Sequence, residues 1–449
     1  MMLQLNCARI SRSTPSFLTR RAGQLRQSSR VAQEHDVLLL RQSQPRSLAK
    51  FQLSPSLRPD TVVKLSHGAT LRGSDIIGRP IPSVVTDSKG HVVRLSEVTL
   101  SQYLTNQPRV ATPIYPQDAT TIVSILDINV PVPGEDPEAD AGPVLEIFEA
   151  GTGMGSLTLH IARSLHGANP PVPHKLRQAM LAAPYKAGLL LRNTATDESP
   201  INGAMPHAQE LESPELEAQL QSYRASRRAI LHSLDINPST SRKAHGVVQG
   251  FCRGRYLLNV DFHLRTIKSF VESRFAENGR QPFLSHAVLD LPGSADHADL
   301  VIQAIRPLGK LVVFFPSVTQ VLEFITWATE TKQKIHLEKT VELMSSSWAP
   351  GFTDAVGGRE WDVRIVTPRK VQREAMAAAQ AASDGNETVS DTVVAEPKTV
   401  HVCRPKVGHL VGGGGFLAVF SKRMTRSQSD QDGQDLTERS AESTSFLDG

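Results

Sequence analysis

The strongest hydrophobic pattern in the chain is "VLEIFEAGTGMGSLTLHIARSL", residues 144–165. Val144 to Phe148 is a short apolar run that reads as a buried strand, and Leu157 to Leu165 has helical spacing. Further along, "AILHSLDI" (229–236), "NVDFHL" (259–264), "HAVLDLP" (286–292) and "GKLVVFFP" (309–316) repeat the strand signal, with helix-like stretches such as "TSRKAHGVVQGF" between them. Strands alternating with helices predict a parallel sheet in an α/β domain. "REWDVRIV" and "GGFLAVFSK" read as two more strands. Ahead of these, residues 60–106 alternate short apolar runs with turn signals, among them Asp87-Ser88-Lys89-Gly90, and predict a small β domain. A loop then leads into a helix that starts near Asp118.

The pattern lapses in four places. Residues 168–222 are polar and Pro-rich, and 369–398 are Ala-rich and then acidic. Both read as insertions in a domain that runs from 107 to 423. Residues 424–449 are rich in Ser, Asp, Glu and Gln and read as a disordered tail. The first stretch, 1–33, is of another kind. It carries Arg9, Arg12, Arg20, Arg21, Arg26 and Arg30, many hydroxyl residues, and no acid before Glu34. That composition predicts a mitochondrial transit peptide and a matrix location; a basic arm on nucleic acid, with a nuclear location, is the alternative.

Without those six arginines the formal charge falls from +4 to about −2, so a nucleic-acid surface would be a local patch. Arg224, Arg227, Arg228, Arg242, Lys243, Arg253 and Arg255 are the candidates, against a merely solvated face. Cys7, Cys252 and Cys403 are isolated, which argues against a zinc site or a disulfide framework. No metal site is expected. No stretch approaches 18 consecutive apolar residues, which argues against a membrane span.

Gly151, Gly153 and Gly155 sit where a strand turns into a helix. Lacking Cβ atoms, they permit positive φ and let a ligand lie against the backbone, beside the unpaired N–H groups of a helix start. A phosphate loop would need a lysine that Gly155-Ser156-Leu157 does not supply. A dinucleotide fingerprint needs G-x-G-x-x-G, whereas the spacing here is G-x-G-x-G. Glu149 just ahead would be awkward beside a pyrophosphate. It suits a cationic ligand such as the sulfonium and amino group of S-adenosylmethionine. A glycine turn without a ligand is the competing reading.

Ligands of open α/β sheets bind at the carboxyl ends of the strands. Three acids fall there: Glu149, Asp235 and Asp290. Asp235 is placed to accept both ribose hydroxyls of an adenosine, or else caps the next helix. Asp290, in "LDLP", sits where catalytic groups sit, unless it is a chance loop acid.

"EAGTGMGSLTLHIAR", "LDLP", "LGKLVVFFPSVTQV", "GREWDV" and "RPKVGH" resemble the tRNA (adenine-58-N1) methyltransferases. "HGATLRGSDIIGRP" resembles that family's N-terminal β domain, and "IYPQD" the loop before its first sheet strand. With the basic start, the chain resembles a mitochondrial member. The resemblance implies a Rossmann-like S-adenosylmethionine-dependent methyltransferase sheet preceded by the small β domain. It implies that Glu149, Gly151, Thr152, Gly153, Gly155, Ser156, Leu157 and Asp235 hold S-adenosylmethionine, with Asp290 beside both cofactor and target adenine as the catalytic residue. The implied product is 1-methyladenosine in tRNA, and the implied assembly a homotetramer or a hetero-oligomer with a related non-catalytic subunit.

The sequence departs from the family at three points. Ala111-Thr112 stands where Thr-Gln is usual, Thr266 where an Asp commonly meets the cofactor's adenine, and Gly293-Ser294 where Pro-Trp follows LDLP. His409 in "KVGH" is either a substrate contact or a structural histidine. Three other functions compete: a non-catalytic RNA-binding subunit, a methyltransferase acting on another substrate, and a nicotinamide-dependent oxidoreductase. The first should have lost the glycines and Asp290; the glycine spacing and Glu149 disfavour the last.

Overall fold

In the computed structural model the described residues are 30–42, 51–65, 68–183, 185, 211, 213–346, 361–366, 373, 376–377, 400–405 and 411–424. Most of the 369–398 insertion, His409, and all of the tail but Met424 lie outside them, as do residues 1–29.

The central element is a seven-stranded mixed sheet. Its strands are β7 (Leu145–Ala150), β8 (Ala229–Asp235), β9 (Val260–Leu264), β10 (Leu284–Leu289), β11 (Ile305–Phe315), β12 (Ile335–Ser346) and β15 (Val411–Lys422), in the order β12-β15-β11-β10-β7-β8-β9. Neighbours from β11 through β10, β7 and β8 to β9 are parallel, while β15 is antiparallel to both β11 and β12. The four central strands read as continuous apolar runs because each has a packed layer on both faces. On one face Ile147, Leu231, Val288 and Val312 pack with Leu159, Ile161, Ile122 and Val247. On the other, Phe148, Ala287, Leu289 and Val313 pack with Phe270, Val301 and Phe324. Phe148 stacks on Phe270 with centroids 5.1 Å apart.

The order reverses between β7 and β10, since the chain proceeds outward from β7 on one side and from β10 on the other. The crevice at such a switch point is where α/β sheets bind ligands. Both the glycine turn, after β7, and Asp290, after β10, open onto it.

The N-terminal segment forms an antiparallel sheet of β1 (Leu39–Gln42), β2 (Phe51–Leu53), β5 (Ser83–Thr86) and β6 (Val92–Ser96), in the order β2-β1-β6-β5, beside a hairpin of β3 (Val62–Lys64) and β4 (Thr70–Arg72). The sheet thus draws in two strands upstream of residue 60. Asp87-Ser88-Lys89-Gly90 does make the β5–β6 turn: Asp87 Oδ1 accepts from the Lys89 and His91 amides, and Gly90 takes φ +82°. Arg30 is already part of this unit, paired with Asp36 and Glu97, and Ala32 is buried. Tyr103, in the helix Leu100–Thr105 that follows β6, packs in the large sheet's helical layer, its hydroxyl donating to the Val247 carbonyl at 2.8 Å.

"REWDVRIV" does supply a strand, β13 (Trp361–Val366). It pairs with β14 (Val400–Pro405) in a separate two-stranded ribbon and does not enter the large sheet. No helix among the described residues is long and apolar enough to cross a membrane.

Candidate active site

The glycine turn has the backbone that its sequence demands. Gly151, Gly153 and Gly155 take φ of +94°, +53° and +78°. A Cβ on Gly151 would lie 2.0 Å from the Asp290 carbonyl oxygen, and one on Gly155 would lie 2.9 Å from the Ala244 Cα. Gly151 therefore lets the exit of β7 press against the exit of β10, and Gly155 seats the helix Ser156–Ser164 on the helix Pro238–Gly250. The backbone is held from both sides: the Gly151 amide donates to the Leu234 carbonyl at 3.0 Å, and the Asp290 amide to the Ala150 carbonyl at 2.9 Å.

Glu149, Asp235 and Asp290 come together around this turn. Glu149 is 1% exposed. Its Oε2 accepts from the Thr158 hydroxyl at 2.7 Å and from the Ser233 hydroxyl at 2.8 Å. Burial pushes its carboxyl up to about 8 against those two hydrogen bonds, and the charges of Asp290 and Asp235 push the same way. Burial also raises Asp290 to about 6. Asp235 accepts from the Gly153 amide at 3.2 Å and from the Asn237 amide at 2.8 Å. It does not cap the following helix; Asn237 does, accepting from the Ser239 amide.

Such a group of acids is costly unless a cation joins it, because like charges at close range in a low dielectric disfavour joint ionisation. No lysine or arginine forms an ion pair with any of the three among the described residues. The chemistry of the donor set therefore fits a ligand that brings positive charge, as S-adenosylmethionine does.

The other turn residues divide by function. Thr152 Oγ1 is 2.8 Å from Ser233 Oγ, so this hydroxyl braces the floor beneath Glu149. Ser156 Oγ donates to the Ile114 carbonyl at 2.6 Å and fastens the lead-in to the helix Pro116–Leu126 to the turn; that helix already begins within "IYPQD", with Tyr115 as its cap. The Leu157 side chain is buried in the core, leaving its backbone amide at the helix start. Thr266 caps the helix Ile267–Glu277, accepting from the Ser269 amide at 3.2 Å.

Beside Asp290 lies a cavity of about 340 Å³, lined by Pro292, Phe314, Phe315, Pro316 and Phe324, with Gln320 and Glu323 at its polar side. Gly293, at φ +64°, closes the LDLP turn and starts the next helix. A flat aromatic base matches such an apolar slot with an acid at its edge.

Sequence reasoning missed Thr158 and Ser233, the hydroxyls that hold Glu149. Both are read in retrospect as polar residues at buried positions of an apolar helix and strand. It missed Tyr185 too, which lies inside the 168–222 insertion. Its hydroxyl is 2.6 Å from Ser241 Oγ, and its ring lies 4.8 Å from that of His245. The candidate basic patch is not one surface. Arg227 makes a bidentate pair with Asp261 at 3.0 and 2.8 Å, Arg253 meets Asp36, and Lys243 donates to Gln107. Among the described residues no group of His, Cys, Asp and Glu could hold a metal ion.

The strand order and the ligand crevice define the class: an α/β S-adenosylmethionine-dependent methyltransferase fold, here with a small antiparallel sheet ahead of it. The chain is similar to the tRNA (adenine(58)-N(1))-methyltransferase TrmI of Thermus thermophilus, 23% identical over 282 residues that make up 63% of this chain and 72% of the relative. Among solved structures it is similar to TrmI, a tRNA (m1A58) methyltransferase, from Aquifex aeolicus (13% identity, 88% of this chain and 100% of that one, TM-score 0.45). It is also similar to an S-adenosylmethionine-dependent O-methyltransferase from Thermotoga maritima (11% identity, 88% and 96%, TM-score 0.48). No family model matches the chain.

Proposed function

We propose that the protein is a catalytically active S-adenosylmethionine-dependent methyltransferase that forms 1-methyladenosine at position 58 of tRNA in mitochondria. The observation that carries the reading is the convergence of Glu149, Asp235 and Asp290 on the glycine turn, with the aromatic cavity opening beside Asp290.

Glu149, the Gly151–Leu157 backbone and Asp235 would hold the cofactor, which supplies an electrophilic methyl group when bound. Adenine N1 has its own lone pair, so alignment and a dry site matter more than a general base. The chain's own contribution is electrostatic. Asp290 accepts from N6–H and offsets the charge that the base gains on methylation. N1 lies on the Watson–Crick edge, so the base must leave its stack or pair to enter the cavity.

The test is single-turnover transfer of labelled methyl to an unmodified tRNA transcript, with the product mapped to the nucleotide. Binding of S-adenosylmethionine without transfer to any RNA would reassign the protein as a non-catalytic subunit or a methyltransferase of another substrate. NAD binding in its place would overturn the cofactor as well.

The arginine-rich start supports the location. On this reading the presequence ends ahead of Arg30, not at residue 33, because Arg30 and Ala32 are built into the N-terminal sheet unit. Residues 1–29 fused to a reporter should carry it into mitochondria; a fusion that stays in the cytosol or enters the nucleus overturns that part.

A further inference from the structure

At the opposite edge of the sheet from the acids lies a second cavity, of about 600 Å³. It opens where β10 and β11 begin and β15 ends, and five cations line it: Arg280, Lys332, Lys334, Lys422 and Arg423. None of the five forms an ion pair with a carboxylate among the described residues. The one acid in the lining, Asp299, is already occupied. Its Oδ2 accepts from the Gln303 amide at 2.9 Å and its Oδ1 from the Gln333 amide at 3.1 Å.

The placement of the cations is built into the backbone. Lys332 and Arg280 both stand in left-handed turns, at φ +53° and +63°, which bring the ends of two helices to the rim. The Arg280 guanidinium lies over the Phe275 ring at 5.4 Å. The Arg423 amide donates to the Lys334 carbonyl at 2.9 Å, which holds those two residues side by side. Lys422 donates to the Ile302 carbonyl inside the cavity. Burial and the neighbouring Lys334 lower its ammonium to about 8, a cost that an anion in the cavity would relieve.

The two cavities sit at the two ends of one strand pair. Phe315, which lines the cavity beside Asp290, is in β11, and Pro307 of the same strand lines the basic one. β11 is bulged near Pro307, so the span is read along its partner β10, where Leu284 to Leu289 at about 3.3 Å per residue gives roughly 17 Å. An RNA docked with one base at Asp290 extends well past that distance.

We propose that this basic cavity is a phosphate-binding anchor for the backbone of the RNA substrate, remote from the target base. The choice of RNA as occupant rests on the function proposed above; the preference for phosphate rests on the cavity's own charge. Contacts to phosphate position a nucleic acid without reading its sequence, so the anchor should act on affinity alone.

The experiment compares the wild-type full chain with the double variant Lys332→Glu/Lys334→Glu, whose sites are exposed turn residues. Binding of an unmodified tRNA transcript is followed by fluorescence anisotropy across a salt series, with S-adenosylmethionine binding by calorimetry as the control for fold. We expect at least tenfold weaker tRNA binding and a salt slope shallower by about 2, given roughly 0.9 per lost phosphate contact. The KM for the transcript should rise, with kcat and cofactor affinity kept.

Unchanged tRNA affinity and salt slope in a variant that still binds cofactor would overturn the anchor, whatever the wild type methylates. Inorganic pyrophosphate is titrated into both proteins by calorimetry as well, and a variant that loses its binding while keeping tRNA affinity would also overturn the anchor, in favour of a small-anion site. If the wild type binds tRNA through the cavity but methylates none, the anchor stands and the proposed reaction falls.

Discussion

Strand β7 carries two buried glutamates three residues apart, and therefore on opposite faces of the sheet. Glu146 is matched. The His232 Nε2 lies 2.8 Å from its Oε2, and Arg274 donates to both oxygens at 3.0 and 2.8 Å. Burial opposes its ionisation, but His232, Arg274 and Arg306 outweigh that cost and hold the carboxyl below the usual range. Glu149 has two hydroxyls and two other acids for company, and its carboxyl rises to about 8. The same residue type on the same strand thus marks two different things. A buried acid with its cations in place holds structure together; one surrounded by donors and acids but no cation is a place for something to bind.

That contrast can be broken by mutation. Glu146→Ala strips a buried, hydrogen-bonded partner from His232 and Arg274, and should cost about 3–5 kcal/mol of stability by denaturant unfolding. Cofactor affinity of whatever folded protein remains should be near wild type. A folded variant of normal stability would show that the Glu146 network is dispensable.

Asp290→Ala should reverse the pattern. Single-turnover transfer should fall about 10²–10³-fold, or about 3–4 kcal/mol, with unfolding midpoint and cofactor affinity little changed. Asp290→Asn should also be slow, since an amide accepts from N6 but offsets no charge. Full activity in Asp290→Ala would remove Asp290 from the chemistry, while joint loss of cofactor binding would make it a binding residue.

Glu149→Gln should weaken S-adenosylmethionine binding by about 1–3 kcal/mol in calorimetry. In the free protein it should leave stability unchanged or raise it. Undiminished affinity would mean that the turn holds its ligand without the acid.

The same carboxyl sets a pH dependence. A carboxyl raised to about 8 in the folded chain keeps its proton where the unfolded chain has released its own. Stability of the free protein should therefore fall as pH rises from the ordinary glutamate range toward 8, by the linkage of proton binding to folding. A cationic ligand reverses the preference, so cofactor binding near pH 7 should release a proton. Calorimetry in buffers of different ionisation enthalpy measures that release, and Glu149→Gln should abolish it.

Much of this was legible in the sequence because the active edge is built from strong local signals. The glycines, the apolar run before them and the stop at Leu291-Pro292 each announce their own backbone. The three acids could be assigned to one edge because strand ends in a parallel sheet share it. What stayed hidden depends on pairing between distant segments. Thr158 and Ser233 meet Glu149 only once β7, β8 and the following helix are assembled. β12, on the sheet's outer edge, is obscured in "IHLEKTVEL" by Lys339, which interrupts the alternation of Ile335, Leu337, Val341 and Leu343 at a register shift after Leu337. The seven arginines and lysines around residues 224–255 looked like one patch because they are close in sequence, yet the fold turns Arg227 inward to Asp261 and Arg253 toward Asp36.

The insertion of β15 between β11 and β12 bears on how the chain acquires its shape during synthesis. β11 and β12 emerge from the ribosome well before residues 411–422, yet they have no hydrogen bonds to each other in the finished sheet. Until β15 arrives, β11 presents the open edge of a half-built sheet and β12 has no partner in it. Both are templates for pairing with another chain. The pairing of β15 with β11 is a contact of long sequence separation, of the kind that forms slowly. A nascent or truncated chain ending before Val411 is the form most dependent on chaperones and most prone to aggregate.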